Sequence, residues 1–416
     1  MITSELLNRL KQQHQNHSVT NAVGGSILAD IADPSRLLHQ VPEYTGKEHP
    51  SFEQGKTGYC WLSALLFCLY RYGEKSSPTD GKLLSKSYLI FYDKLEKANN
   101  FLELLLERLD EPQSDRTVNY LLKHAMTDQG QWEMGINLIR KYGVVPYDAM
   151  PDVSATVSNG ELNACLALIL RCTAVKLRSI HEARQGGAAL QAEKWECLQR
   201  VYHILVDFYG TPPSRVGTLT PIQYFEQQVA FPFENYISIC CTGQPPFINY
   251  TVELDGNVVE GKRNTFFSVP DVNFEEAMAR QVKEEGFCWF SCDIGKFYLK
   301  NHRLLDDSIF DFDQVMEGEN YTDLTREELF QTHIASMTHA MVLCDRLIRD
   351  GKLYWIAKNS VAGQAKRKSY CAISENWFRR YAFQAIVKRE FLPANAAKKG
   401  NAVKEVMPWE FFDGEA

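Results

Sequence analysis

The sequence predicts an α+β protein, helices first and an antiparallel sheet after them, and three observations predict it. Apolar residues recur at helical spacing through most of the first half; short apolar or alternating runs replace them after about residue 235; and no internal repeat or low-complexity tract breaks that order. With 416 residues, 45% apolar and 12% aromatic, the chain can bury a sizeable core as one large domain or two average ones.

Residues 1–50 carry one short amphipathic segment (Leu6, Leu7 and Leu10) and then a Gly-, Ser-, Pro- and His-containing stretch, which reads as an N-terminal arm. The clearest helix begins almost at Cys60, because Leu62, Leu65, Leu66 and Leu69 fall at i, i+3, i+4 and i+7 and Gly73 supplies a stop. Helical spacing also covers 100–109, 118–125, 131–142, 162–180 and 192–209, with turn-like stretches at 151–160 and 210–214. Strands are predicted at 236–241, 286–290, 339–344, 353–358 and 383–388. Asp350-Gly351 is a hairpin turn signal, so the strands on either side of it bring His339 and Asn359 to the same end.

Composition excludes several classes. No stretch approaches the roughly 18 consecutive apolar residues of a membrane span, and the polar N-terminus lacks the apolar region of a signal peptide, so a cytoplasmic protein is expected. Eleven cysteines, an odd number without regular spacing, fit free thiols in a reducing compartment, which makes the sequons at Asn16, Asn249 and Asn320 chance matches. A formal charge of −7, with no basic block longer than Lys366-Arg367-Lys368, argues against nucleic acid as a partner. His-Glu-x-x-His, Gly-x-Ser-x-Gly and Gly-x-Gly-x-x-Gly are missing, and Pro50 stands where a phosphate-binding loop ending in Gly55-Lys56-Thr57 needs its first glycine. Cys288 and Cys292 have no second ligand pair at zinc spacing and read as buried packing residues, so neither a metal nor a cofactor is expected.

What remains is the placement of Cys60. Unpaired N–H groups and the dipole at a helix N-terminus favour a thiolate over a thiol. His339 and Asn359 could supply a base and a group to orient it, although each residue alone is better read as structural; the combination carries the hypothesis.

The residues around these positions resemble one family, the bleomycin hydrolase and aminopeptidase C branch of the papain-like cysteine peptidases. The run Glu53-Gln54-Gly55-Lys56-Thr57-Gly58-Tyr59-Cys60-Trp61-Leu62 resembles its nucleophile motif, Asn-Gln-x-x-Ser-Gly-Arg-Cys-Trp-Leu. Met337-Thr338-His339-Ala340-Met341 resembles its histidine motif, and 355–360 the strand ending in its Asn-Ser. Similar stretches recur at 130–146, 219–225, 250–261 and 288–296, so the resemblance runs from about residue 50 to the C-terminus. It implies a two-lobed fold, a helical lobe with Cys60 and a β lobe with His339 and Asn359, spanning 51–400 with a helical insertion at about 155–235 that serves assembly.

The implied activity is cysteine aminopeptidase hydrolysis of peptides, with Cys60 as nucleophile, His339 as base, Asn359 as orienting residue and the Gln54 side chain in the oxyanion hole. Gly130, Gln131 and Trp132 would line the cleft. A hexamer is implied, as is a C-terminal arm at 401–416 entering the cleft so that the Ala416 carboxylate meets the substrate's amino group. The sequence also departs from the family. Asn359-Ser360 is followed by Val361-Ala362 instead of Trp-Gly, which implies a wetter His–Asn bond and a weaker ion pair. Tyr59 replaces an arginine, Ser63 an aromatic residue and Gln129 a glycine, changes that could alter substrate choice. The alternatives are a catalytically weakened peptide-binding or scaffold oligomer of the same fold, an endopeptidase, and a nucleic-acid-binding oligomer, since some family members have a basic channel.

Overall fold

In the computed structural model, residues 42, 44–76, 81–310, 323–360, 369–393 and 403–411 are described. Most of the expected N-terminal arm, together with Lys366-Arg367-Lys368, Val361, Ala362 and the last five residues with Ala416, lies outside them.

The first half is helical. The principal helices are α1 (Cys60–Ser76), α2 (Lys86–Leu106), α3 (Arg116–Lys123), α4 (Trp132–Tyr142), α5 (Gly160–Glu182) and α6 (Gly187–Tyr209). Helix α2 starts well before the 100 expected from spacing. Ser85 caps it, its side chain accepting from the Tyr88 N–H, and it is buried nearly all round, with Lys86, Ser87, Asp93, Lys94, Glu96 and Lys97 among its inward residues. A helix whose polar residues are buried and paired shows no clean apolar stripe. Helices α5 and α6 pack on each other and on α2, and their Leu162, Leu166, Leu170, Leu177, Val201 and Leu205 join the same core as α1.

The second half is a sheet that, among the described residues, has eleven strands: β1 (Tyr236–Cys240), β2 (Asn249–Val252), β3 (Thr265–Ser268), β4 (Cys288–Cys292), β5 (Tyr298–Leu299), β6 (Leu304–Leu305), β7 (His339–Arg349), β8 (Lys352–Lys358), β9 (Tyr370–Ser374), β10 (Ala382–Lys388) and β11 (Val403–Val406). The order is β11-β2-β3-β1-β10-β4-β7-β8-β9-β6-β5. From β1 to β9 the pairing is antiparallel as expected, but β1/β3, β11/β2 and β6/β9 are parallel, so the sheet is mixed toward its edges. The short edge strands carry too few residues for an alternation to be read.

Alternation along the central strands joins the lobes. Trp289 of β4 and Ala340 and Val342 of β7 sit in the helical core with α1, whereas Cys288, Phe290, Met341 and Leu343 sit in a second core with Phe274, Ala277 and Met278 of α7 (Asp271–Glu285). Cys288 and Cys292 are fully buried there, which fits the packing role read from sequence.

Candidate active site

The turn leading into α1 is held from three sides. Gly55 has φ +64°, and a Cβ there would fall 2.1 Å from the Val157 carbonyl, a position only glycine accepts; the Lys56 N–H donates to that same carbonyl at 2.7 Å. Gln54 donates through its backbone N–H to the Ser360 carbonyl at 2.8 Å, and its Oε1 accepts from the Ser360 hydroxyl at 2.6 Å. Its Nε2 donates to the Thr57 carbonyl at 2.7 Å, which uses one of the two amide protons. The Gly58 N–H donates to Asp128 Oδ2 at 3.1 Å.

Asp128 collects more than that one donor. Its Oδ1 accepts from buried Lys94 at 2.9 Å, from Asn159 at 3.1 Å and from Asn163 at 2.8 Å, and its carbonyl accepts from the Trp61 indole at 2.8 Å. Burial pushes its carboxyl pKa up, but Lys94 and the other donors outweigh this and hold it below the usual carboxylate range.

Cys60 is the first residue of α1, His339 the first of β7, and Asn359 follows the last residue of β8. The hairpin joining β7 to β8 turns at Asp350 and Gly351, both with positive φ as the sequence signal anticipated, and brings His339 and Asn359 together. His339 Nε2 lies 2.9 Å from Asn359 Oδ1, which also accepts the Ser360 N–H at 2.8 Å. An oxygen that already accepts a backbone proton acts as acceptor toward the ring as well, so Nε2 carries the hydrogen and Nδ1 is left for the thiol.

Burial alone would raise the Cys60 thiol pKa, but the His339 charge, its hydrogen bond and nearby backbone N–H groups outweigh it and bring the thiol below its ordinary value. Burial likewise disfavours a charged His339, and Cys60 and Asn359 reverse this, raising the imidazole above its ordinary value. Both displacements run in the direction that favours a thiolate beside an imidazolium.

The pair opens onto a cleft of about 450 Å³ whose wall includes Gln54, Gln129, Gly130, Gln131 and Pro408. Gly130 presses on the Trp61 ring, which a Cβ would meet at 2.5 Å. Trp132 does not line the cleft: it is 4% exposed and packs behind the wall against Phe231, Phe233 and Trp289, because a large indole at the start of α4 is stabilised more by core burial than by a wet groove. Of the departures expected to alter substrate choice, Gln129 reaches the cleft. Tyr59 is fully buried and donates to Asp93 at 2.8 Å, and Ser63 is 1% exposed inside α1. Asn359 is 4% exposed although the family tryptophan is missing, while His339 at the other end of their bond is half-buried; Tyr298 is close enough for the Asn359 amide to oppose the upward push of burial on its phenol.

Asp128, Ser360 and Tyr298 were not singled out from sequence. Asp128 adjoins the Gln129-Gly130 stretch and Ser360 directly follows Asn359, which were the available signals; Tyr298 reaches the site from a position distant in sequence.

The chain matches the Peptidase C1-like family over residues 2–412. It is 31% identical over 377 residues to an aminopeptidase C from Streptococcus thermophilus, which covers 86% of this chain and 84% of that protein, and 28% identical to a bleomycin hydrolase from Gallus gallus, covering 85% and 83%. The crystal structure of PepW from Lactobacillus rhamnosis HN001 superposes with a TM-score of 0.87 at 29% identity, covering 99% of both chains. The chain therefore belongs to the Peptidase C1-like family, in the papain-like branch that holds the aminopeptidase C and bleomycin hydrolase proteins.

Proposed function

We propose that this cysteine peptidase is an aminopeptidase releasing N-terminal residues from peptides through a Cys60–His339–Asn359 triad. The observation that carries the reading is the opposed displacement of two pKa values at one contact: a thiol held below its ordinary value faces an imidazole held above its own, at the floor of a cleft. The Cys60 thiolate attacks the peptide carbonyl and the His339 imidazolium gives its proton to the leaving amine; water then releases the acyl group with His339 as base. Asn359 keeps the ring in the tautomer that serves both steps. The oxyanion receives the Cys60 N–H and the second Nε2 proton of Gln54, each donor contributing roughly 3–4 kcal/mol in the transition state.

Exopeptidase specificity is assigned to the C-terminal arm. The described part of that arm lies beside the cleft: strand β11 adds to β2, Phe411 is buried against Tyr250 and Phe266, and Pro408 stands on the cleft wall. In this reading the Ala416 carboxylate, with Asp413 and Glu415, anchors the substrate's α-ammonium. The proposal includes homo-oligomerisation as a hexameric ring in the cytoplasm, for which the apolar residues that α5 and α6 leave exposed, Leu168, Val175 and Trp195, offer an interface surface but no stoichiometry.

The test maps alkylation of the native protein by iodoacetamide near neutral pH, then compares free and N-blocked substrates before and after deletion of 413–416. Cys60 should react first, and the truncated protein should lose its preference for free N-termini. Primary labelling at another cysteine would overturn the triad, and a retained preference would overturn the arm.

A further inference from the structure

The connection between β2 and β3 enters the cleft beside α2 and α3 and is pinned there by buried amides. Asn257, fully buried, donates to Asp93 Oδ1 at 2.9 Å and to the Met134 carbonyl at 3.2 Å, and Asn100 donates to the Gly256 carbonyl at 3.1 Å. Asn264, also buried, donates to both the carbonyl and Oδ2 of Asp255, each at 2.9 Å. Asp255 is thereby fixed on the wall of the same cleft that holds Cys60, with one carboxylate oxygen held and no bond from a described residue to the other.

The cation beside it is already committed. Lys97 is paired with Asp93 Oδ2 at 2.8 Å and donates to the carbonyls of Thr127 at 3.2 Å and Gln129 at 2.6 Å, so its ammonium already faces three oxygens. No lysine or arginine among the described residues forms an ion pair with Asp255. Tyr120 of α3 feels its charge, and His124, which caps α3 and whose Nδ1 is bonded to the Tyr120 carbonyl at 2.9 Å, lines the same cleft. Phe101, Leu104 and Leu121 add apolar surface to that cleft.

An anchored, partly dehydrated carboxylate in a cleft that is partly apolar suits an organic cation whose alkyl stem lies on the apolar wall. We propose that Asp255 is a specificity-determining residue that binds a cationic group of the substrate, an ammonium or guanidinium, beyond the carbonyl attacked by Cys60. The assignment rests on the aminopeptidase reading above, and deepens it by giving the cleft an anionic contact independent of the C-terminal arm. Burial pushes the Asp255 carboxyl up to about 6, so a test at pH 7.5 has it as the carboxylate.

The experiment follows protection of Cys60 from iodoacetamide, in the full chain and in Asp255→Asn, each rate taken relative to the unprotected rate of the same protein. Three probes separate the sources of charge: L-argininamide carries both cations, L-leucinamide the α-ammonium alone, and N-acetyl-L-argininamide the guanidinium alone. Losing a charge-assisted hydrogen bond should weaken protection roughly ten- to a hundredfold. A loss confined to the two arginine probes assigns the site to a basic side chain; a loss confined to the two free amines assigns it to the α-ammonium; both support the proposal. Equal protection of the two proteins by every probe, or an equal loss with all three, overturns it. Because protection requires binding and no turnover, failure of the aminopeptidase reading would show separately, as absent hydrolysis of arginyl and leucyl substrates by the unmodified chain.

Discussion

Along α1 two cysteines lie eight residues apart, Cys60 at the first position and Cys68 in the interior of the helical core. Burial raises the thiol pKa of both. At Cys68 nothing outweighs it, and neighbouring Cys288 and Cys344 add to it, so the thiol stays well above its ordinary value. At Cys60 the His339 charge, that residue's hydrogen bond and the backbone N–H groups of Ala340 on β7 and Trp61 in the first helical turn reverse the sign. The thiol pKa of the same side chain on the same helix is thus moved up or down according to what stands opposite it. The downward shift at Cys60 comes chiefly from His339, across the junction of the two lobes.

That difference should collapse most completely when His339 is removed. His339→Ala takes away the general base, typically worth 10²–10⁴-fold in rate, and leaves burial to act on Cys60 unopposed. The pH dependence of Cys60 alkylation should move upward, toward the behaviour of a buried thiol. In the unmodified protein the alkylation rate should rise through the Cys60 pKa, lying below an ordinary thiol's, whereas kcat/KM should rise there and fall through the His339 pKa, lying above an ordinary imidazole's, where the acid that protonates the leaving amine is lost. An alkylation profile that His339→Ala leaves in place would mean the helix terminus alone activates the sulfur.

The next largest effect is expected at Asp128, which no part of the nucleophile motif contains. It ties Gly58, two residues before Cys60, to Lys94 on α2 and to Asn163 on α5. Asp128→Ala leaves Lys94, whose side chain is fully buried, without its counter-charge, and breaking such a pair costs about 3–5 kcal/mol. Thermal or denaturant unfolding should report that loss, and any folded fraction should alkylate at Cys60 more slowly as the turn loosens. Wild-type stability in this variant would remove the tie between α5 and the catalytic turn.

Asn359→Ala should be milder than either, lowering kcat/KM by roughly ten- to a hundredfold, because His339 keeps its contact with Cys60 and loses a bond worth about 1.5–3 kcal/mol when the ring is charged. A loss equal to that of His339→Ala would assign Asn359 a structural role, through the Ser360 N–H that its Oδ1 accepts at 2.8 Å.

These residues were unequally legible in the sequence. Cys60, His339 and Asn359 could be found because a helix start, a strand start and a hairpin turn each leave a local pattern. Gln54 came only through resemblance, since nothing in its own neighbourhood announces that Ser360, distant in sequence, will hold it. Asp128 and Asp255 were invisible for a related reason: their roles are set by Lys94, Asn163 and Asn264, partners that are not their sequence neighbours. The N-terminal half of α2 was missed because a helix buried on all sides has no polar face to reveal its period. The short strands β2, β3, β5, β6 and β11 have two to four residues each, too few for period two to declare itself.

The smallest expected effect tests how much of the region behind the triad matters. Ser63 lies on α1 between the two cysteines, 1% exposed, and borders a cavity of only about 10 Å³ shared with Phe52, Phe67, Ala340, Asn359 and Ser360. Its hydroxyl is buried with no hydrogen-bond partner among the described residues, and so is the Nδ2 of Asn359 on the same cavity. Removing a buried hydroxyl that has no partner in the chain gives up little and relieves a desolvation cost, so Ser63→Ala should change stability by less than about 1 kcal/mol, with the sign as readily favourable as not. Activity should stay within about twofold, since neither the His339–Asn359 bond nor the Cys60 turn depends on that oxygen. Parallel measurement of the unfolding midpoint and of kcat/KM checks both. A tenfold loss of kcat/KM at unchanged stability would show that the hydroxyl orients the Asn359 amide across the cavity, and would extend the set of groups that distinguish Cys60 from Cys68 one turn further along the same helix.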